Sequence, residues 1–453
     1  MTDTRHEPTA TPGGGKLEPP RQSLQQVVER HQTGEHVGIT SVCSAHPLVL
    51  QAALEHAKQT GDVVLIEATS NQVDQDGGYT GMRPADFRDL VLDLADRVGL
   101  AHQAVVLGGD HLGPNRWRRL DPDDAMGHAD ELVRAYVEAG FTKIHLDCSF
   151  SCAGDPTPLT DELVAQRSAR LIAVAERTAG AEGSGDLRYV IGTEVPVPGG
   201  AHETLDHVTP TSPDAARRTL RLHREAFELA GLTHVWPRVM ALVVQPGVEF
   251  DHQQVIAYQP DLVRELSRVL DDEPTMVFEA HSTDYQTHEA LDALVRDHWA
   301  VLKVGPELTF ALREALFALA AIEDELVPAG DRSRLVAVLE ERMLANPEQW
   351  QGYYAGTEAE QRVNRRYSYS DRLRYYWPDA KVHHAQERLL ANLASVTIPL
   401  PLLSQHLPVQ YARVRDGLLA PDPQSLVLDR VKDVLRTYAR ACSPGLTTRG
   451  TTS

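Results

Sequence analysis

Eight short runs of aliphatic and β-branched residues recur along the chain, and each ends in small or polar residues. Most of them are followed by an amphipathic pattern of helical period, as in ADFRDLVLDLADRVG and DAARRTLRLHREAFELAG. Eight strands that alternate with helices over roughly 280 residues predict an α/β fold, a (β/α)8 TIM barrel. The runs are HVGITSVC (36–43), DVVLIEAT (62–69), AVVLGGD (104–110), KIHLDCS (143–149), YVIGTEV (189–195), RVMALVV (238–244), TMVFEAH (275–281) and AVLKVG (300–305).

A doubly wound open sheet is the main alternative fold, but the Gly-rich turn GxGxxG that such sheets use for dinucleotides is absent. The same absence predicts that the protein uses no NAD.

Beyond about residue 326 the strand-like runs stop and helical patterns follow, as in DRSRLVAVLEERMLAN and LVLDRVKDVLRTYARA. We therefore predict a TIM barrel over 23–325 and a C-terminal helical extension over 326–443. The segments 1–22 and 444–453 are rich in Pro, Gly and Thr, which predicts disordered tails. The aromatic run RRYSYSDRLRYYWPD (365–379) fits either a face for a partner or, more simply, packing of the extension onto its own barrel.

Composition excludes several classes of protein. Acidic residues outnumber basic ones 64 to 44, and a net charge of −20 is unfavourable for binding nucleic acid or an anionic membrane. No apolar stretch approaches the roughly 20 residues that span a bilayer, and the N-terminus lacks the apolar core of a signal peptide, so we expect a cytoplasmic protein. Four scattered cysteines indicate reduced thiols rather than a disulfide framework.

Polar residues end most of the predicted strands, where the loops of a barrel converge on the active site. Singly, each is more often a helix cap or a turn residue. Together, however, several carboxylates around one cavity repel each other unless cations or protons offset them, and a divalent metal is the simplest solution. The residues are Glu67 and Asn71, Asp110 and His111, Asp147 and Ser149, Glu194, Gln245, Glu279 and His281, and Lys303.

Among these residues, His111 and His281 are the expected nitrogen ligands of the metal and Glu194 is the expected oxygen ligand. This mixture suits zinc, with manganese, cobalt or nickel as alternatives. His111 also fits a hydrogen-bonded core histidine. Asp110, on the opposite face of the chain if the strand stays extended, would be free to carry a proton, and Glu279 is the second candidate for proton transfer. The remaining candidates would bind substrate: His46, Glu67, Asn71, Asp147, Ser149, Gln245 and Lys303.

Long stretches of the chain carry a family resemblance, among them GITSVCSAHPLVLQAAL, LGGDHLGPN, AGFTKIHLDCSFSCAGDP, VFEAHSTDYQT and LKVGPELTFALREALFALA. From about residue 26 to 442 the sequence resembles the non-catalytic, Z-type subunit family of class II D-tagatose-1,6-bisphosphate aldolase, which includes related ketose 4-epimerases. Class II aldolases are metal-dependent barrels with an Asp-His pair on one strand, and Asp110-His111 resembles that pair. The sixth run ends in QPGV (245–248) without the histidine that such aldolases use, which argues against plain aldolase activity.

The resemblance leaves two hypotheses. The first is a metal-dependent 4-epimerase that interconverts tagatose- and fructose-type ketoses or their phosphates by retro-aldol cleavage between C3 and C4 and re-addition to the other face. The second is a non-catalytic subunit that stabilises a separate catalytic aldolase subunit. In either case we expect a homo-oligomer.

Overall fold

Parallel strands close into a barrel at the centre of this computed structural model, which describes residues 23–193 and 208–443. The strands are β1 (Ile39–Val42), β2 (Val64–Thr69), β3 (Val105–Leu112), β4 (Lys143–Leu146), β5 (Arg188–Ile191), β6 (Val239–Val243), β7 (Glu249–Phe250), β8 (Val255–Ile256), β9 (Val277–Ala280) and β10 (Val301–Val304). The barrel order is β1-β10-β9-β6-β5-β4-β3-β2, and β7 and β8 form a separate antiparallel ribbon. The predicted TIM barrel is therefore confirmed, with the eight predicted runs supplying its eight strands.

Helices follow the strands and surround the barrel. Gly99 ends α3 with a φ of 71°, a left-handed cap that glycine adopts without strain. None of the helices within the described ranges is both long and apolar enough to cross a membrane. The helices are α1 (Leu24–Gln32), α2 (Pro47–Thr60), α3 (Pro84–Val98), α4 (Pro122–Glu138), α5 (Asp161–Gly183), α6 (Pro213–Leu229), α7 (Arg264–Ser267), α8 (His288–Arg296), α9 (Pro306–Leu326), α10 (Leu335–Ala345), α11 (Glu358–Tyr367), α12 (Ala380–Ala394), α13 (Leu400–His406), α14 (Pro408–Arg415) and α15 (Pro423–Cys442).

The interior of the barrel changes from apolar to polar along its axis. Leu24, Val27 and Val28 of α1 pack on the apolar layer at the N-terminal end of the barrel. Because side chains alternate along a strand, the polar residues that share the interior follow two positions later, one layer nearer the C-terminal ends. Four strands show this step: Ile39 to Ser41, Leu65 to Glu67, Val277 to Glu279 and Val301 to Lys303.

The last helix of the chain returns to the barrel wall. Helix α15 packs against α2, α8 and α9 and also contacts β1. At its end, the carbonyl oxygen of Cys442 accepts a hydrogen bond of 2.8 Å from the backbone N–H of Gly38, just before β1. The C-terminal part of the chain thus completes the helical layer that covers the first strand.

The aromatic residues of 365–379 mostly pack inside the molecule. The ring of Tyr375 meets that of Tyr79 at 4.8 Å, and Trp377 meets His46 at 5.6 Å. Tyr376 is buried. The structure therefore supports the simpler interpretation, in which these rings dock the extension onto its own barrel. The predicted disorder of 1–22 and 444–453 concerns residues outside the described ranges.

Candidate metal centre

Three histidine rings meet at the C-terminal end of the barrel. His111 lies one residue before the end of β3, His145 lies in β4, and His281 directly follows β9. Their ring centroids are 4.9, 5.0 and 5.0 Å apart, and all three side chains are buried. One potential ligand atom from each ring and one from Asp110 all lie within 4.8 Å of one another. This arrangement is suited to hold one metal ion.

Each ring uses one nitrogen to contact its own carboxylate. Metal-binding histidines usually donate their second ring N–H to such a group, which fixes the tautomer and orients the ring. The pairs are His111 Nδ1 with Asp147 Oδ2 at 2.8 Å, His145 Nδ1 with Asp110 Oδ1 at 2.7 Å, and His281 Nε2 with Glu279 Oε1 at 3.0 Å. The second ring nitrogens are His145 Nε2, His281 Nδ1 and His111 Nε2, the last of which lies 3.7 Å from Asp110 Oδ2. For His145 this atom, Nε2, is buried and has no hydrogen-bond partner in the described part of the chain. The donor set therefore fits a divalent ion.

An irregular backbone brings neighbouring residues to the same centre. His111 has a φ of 52°, in the left-handed region that non-glycine residues rarely adopt outside functional sites. The pairing of β3 with β4 also shifts register between Gly109 and Leu112. Asp110 was expected on the opposite face of the chain from His111 if the strand stayed extended. The strand does not stay extended there, and both side chains reach the cluster.

Two buried lysines offset much of the negative charge. Lys143 Nζ lies 2.7 Å from Glu67 Oε1 and 2.7 Å from Glu279 Oε2. Lys303 Nζ lies 2.9 Å from Asp110 Oδ1 and 3.2 Å from Glu67 Oε1. The sequence predicted a metal because carboxylates crowd around one cavity. With two lysines beside them, that crowding does not by itself require a metal. The case for a metal depends instead on the three imidazoles.

Burial and neighbouring charges shift the pKa values of the cluster in different directions. Burial lowers the pKa of His281 to about 3, so its ring is neutral and able to bind metal. Burial opposes ionisation of Asp110, but the charges of His111 and Lys303 outweigh it and hold the pKa of Asp110 well below its usual value. Burial likewise opposes the charged form of His111, but Asp110 and Asp147 outweigh it and raise the pKa of His111. These carboxylates favour a positive charge at His111, which a bound cation would supply in place of a proton.

Replacing Lys143 by Met is expected to destabilise the fold by roughly 3–5 kcal/mol, because it leaves Glu67 and Glu279 buried without their shared cation. Equilibrium unfolding in guanidinium chloride would measure the loss. Arg264→Met, which removes an exposed ion pair with Asp261, is the control and should cost far less. Adding Glu67→Gln to the Lys143→Met variant should recover part of the loss. A loss as small as that of the control would contradict this account.

The predicted site residues fall into two groups. Asp110, His111, His281 and Lys303 line a small cavity of about 70 Å³ at the barrel mouth, the mouth cavity, together with Cys43, Thr69, Phe250, Ser282, Asp284, Val304, Gly305 and Pro306. Glu67, Asp147 and Glu279 are fully buried and bind the lysines and histidines of the cluster. Ser149 donates a hydrogen bond of 2.6 Å to Asp147.

Three other predicted residues, Asn71, Gln245 and His46, do not line the mouth cavity. Asn71 is exposed, and Gln245 accepts hydrogen bonds from the backbone of Gly247 and Val248 in its own loop. His46 caps α2 by accepting from the N–H of Leu48. Glu194, predicted as the oxygen ligand of the metal, lies outside the described residues.

Sequence analysis missed His145 and Lys143, although the signal for both was present. In KIHLD (143–147) every second residue is polar, and such residues share the face of β4 that already carried Asp147. It also missed Asp284, which lines the mouth cavity and accepts hydrogen bonds from the backbone N–H groups of Gly305 and Glu307. Burial raises the pKa of Asp284 to about 6, within the range that suits a proton carrier.

Comparison with known proteins places this architecture in a family. The model of the D-tagatose-1,6-bisphosphate aldolase subunit GatZ/KbaZ-like family matches residues 24–443. The crystal structure of a probable tagatose 6-phosphate kinase from Sinorhizobium meliloti is 50% identical, with a TM-score of 0.83 over 89% of this chain and 100% of that chain. More distant is the YdjI aldolase from Escherichia coli K12, at 13% identity and a TM-score of 0.42 over 68% of this chain and 88% of that one. A fructose-bisphosphate aldolase from Campylobacter jejuni has 15% identity and a TM-score of 0.41 over 82% and 91%.

Proposed function

The chain belongs to the D-tagatose-1,6-bisphosphate aldolase subunit GatZ/KbaZ-like family, and we propose that it is an enzyme in its own right, a metal-dependent ketose 4-epimerase. The observation that carries this proposal is the set of three buried imidazoles, each hydrogen-bonded to its own carboxylate. Burying such groups is costly, and a subunit that only stabilises a partner has no physical need of them.

The residues proposed to hold the metal are His111, His145 and His281, and Asp110 lies beside them. When bound, a divalent ion such as zinc, manganese, cobalt or nickel would supply Lewis-acid chemistry at the C2 carbonyl of a ketose and at a neighbouring hydroxyl. Glu194 remains a further candidate ligand on sequence grounds alone.

The proposed reaction begins with Asp110. Its Oδ1 is held by His145 and Lys303. Its Oδ2 has longer contacts, to the Cys43 thiol at 4.0 Å and to His111 Nε2 at 3.7 Å, and would accept the proton of the substrate C4 hydroxyl. The C3–C4 bond then breaks, its electron pair forms an enediolate across C2 and C3, and C4 becomes an aldehyde. After the aldehyde turns, C3 attacks its other face and Asp110 returns the proton to the C4 oxygen. The positive charge of Lys303 beside Asp110 helps to stabilise the negative charge as it moves.

Glu279 takes a different role in this proposal from the one that the sequence indicates. Its side chain is fully buried, it is not part of the mouth cavity, and it contacts Lys143 and His281. We therefore assign it to orienting His281 and balancing Lys143. Asp284, which does line the mouth cavity, is the better second candidate for proton transfer.

The decisive experiment is to incubate the purified, metal-loaded protein alone with fructose, tagatose and their 6-phosphates. Inversion at C4 is expected without added NAD, and protein stripped of metal by a chelator is the control. A sugar that carries deuterium at C4 should keep it, because in a retro-aldol step this hydrogen stays on the aldehyde carbon. Loss of the label to solvent would indicate deprotonation at C4, and a requirement for NAD would indicate a redox route.

The second candidate function is that of a non-catalytic aldolase subunit, which fits the description of the family as an aldolase subunit. It is favoured by apolar side chains that are exposed on the helical extension: Leu344, Val363, Tyr367, Leu400, Val409 and Leu418. These side chains also fit a contact between copies of this chain. The same incubation separates the two functions, since a purely stabilising subunit would invert no sugar when it is alone.

A further inference from the structure

A second cavity, of about 460 Å³, adjoins the mouth cavity between the barrel and the helical extension. We call it the side cavity. The two cavities share Cys43, Gly305 and Pro306. On the barrel side the wall comes from the segments after β1 and β2, with His46, Gln72, Tyr79 and Met82, and on the extension side it comes from Arg374, Trp377 and Gln386. A ligand whose one end lies at the metal centre can therefore extend towards the helical extension.

Arg374 brings a positive charge to this cavity without a carboxylate partner. Its guanidinium donates to the backbone oxygens of Ser370 and Asp371 and, at 3.1 Å, to the hydroxyl of Tyr375, but it forms no ion pair within the described residues. The carboxylate of Asp371 is engaged elsewhere, since it accepts a hydrogen bond of 2.6 Å from Thr309 and lies 3.6 Å from Arg313.

Trp377 adds a donor that lacks an acceptor. This side chain is only 5% exposed, and its indole Nε1 has no hydrogen-bond partner in the described part of the chain. An indole N–H and a guanidinium can only donate hydrogen bonds, and leaving such groups unpaired when buried costs free energy. The side cavity therefore has a surplus of donors and of positive charge.

The rest of the wall strengthens this preference. Leu48, Met82 and Leu90 keep the lining apolar, which increases the strength of electrostatic interactions inside it. Glu387 also lines the cavity, but it is exposed and lies 3.5 Å from the ring of His383, with which it pairs. Arg374, which is half-buried, supplies positive charge to the wall.

We propose that the side cavity binds the anionic end of the substrate, a phosphate or a carboxylate on C6 of the ketose, through Arg374 and Trp377. The inference rests on the proposed function, and it makes the helical extension part of the substrate site. Guanidinium binds both kinds of anion through paired hydrogen bonds, so phosphate and carboxylate share the chemistry of recognition.

The test is to measure binding of fructose, fructose 6-phosphate and fructuronate to the metal-loaded protein by titration calorimetry. In Arg374→Gln the affinity for fructose 6-phosphate, relative to that for fructose, is expected to fall about thirtyfold, the usual value of a charge-assisted pair of hydrogen bonds. Arg374→Lys should keep part of the preference. Trp377→Phe, which keeps a ring but removes Nε1, should lower it by about fivefold. Arg362→Gln removes an exposed arginine of α11 that does not line the cavity and is the matched control.

An equal loss of affinity for the phosphorylated and the neutral sugar in Arg374→Gln, or no loss for either, would overturn the proposal. Thermal unfolding of each variant shows whether the fold is intact. If Arg374→Gln unfolds, the affinities of Arg374→Lys for fructose 6-phosphate and fructose are compared with those of the parent instead. If fructuronate rather than the phosphate shows the dependence on Arg374, the anion is a carboxylate. Binding that depends on Arg374 in a protein that inverts no sugar would support the side cavity and reject the epimerase.

Discussion

Replacing Asp110 by Asn is expected to lower the rate of C4 inversion by about two to four orders of magnitude, the usual contribution of a positioned general base. The amide cannot accept the proton of the C4 hydroxyl. The amide can still form a hydrogen bond with His145 Nδ1, so the ring should keep its orientation and the metal should stay bound. Steady-state rates with fructose or its 6-phosphate, together with the metal content of the variant, would measure both effects.

Asp130→Asn is the control for this substitution, because Asp130 lies on α4 and pairs with Arg170 on the outside of the barrel. It should leave the rate close to that of the parent. An Asp110→Asn protein that keeps its metal and more than about a tenth of the parent rate would show that another group removes the proton. Asp284 would then be the first residue to test, since it also lines the mouth cavity.

The second large effect is expected for His145→Ala, in which the affinity for the metal should fall by about a hundredfold or more. The substitution removes one of three imidazoles and leaves Asp110 without the ring that it orients. Elemental analysis of the purified protein should find about one divalent ion per chain in the parent and little in the variant. This prediction distinguishes the structure from the sequence interpretation, in which His145 had no role.

A matched control exists in His223, which is as fully buried as His145 but lies on α6, away from the cluster. His223→Ala removes a buried ring of the same size and should leave the metal content unchanged. Equal metal content in the parent and in His145→Ala would reject the three-histidine centre.

The barrel could be predicted from the sequence because each of its strands appears there as a separate apolar run. Val277, Phe278 and Ala280 of β9, for example, are all fully buried, as expected for a strand that is covered on both faces. The C-terminal helices could also be predicted, because their apolar residues recur with the period of a helix. The return of α15 to the wall beside β1 was not, because the contact between Cys442 and Gly38 joins opposite ends of the chain.

The candidate site could be predicted only in part. Asp110, His111 and His281 could be predicted because they lie at the ends of predicted strands. Two other features of the site could not be predicted in this way. The pairing of Lys143 with Glu67 and Glu279 joins residues from three strands across the barrel. The left-handed backbone at His111 is a local departure from strand geometry, and it reverses the face on which a regular strand would place that ring.

The position of α15 also has a consequence for how the protein is made. Translation proceeds at about 5–20 residues per second, and roughly 400 residues separate β1 from α15, the helix that covers it. Helix α15 is therefore synthesised tens of seconds after β1. During that time the outer side of β1 is available to other nascent chains and to chaperones. Domains generally fold as units during synthesis, and this barrel can complete its wall only after α15 has left the exit tunnel.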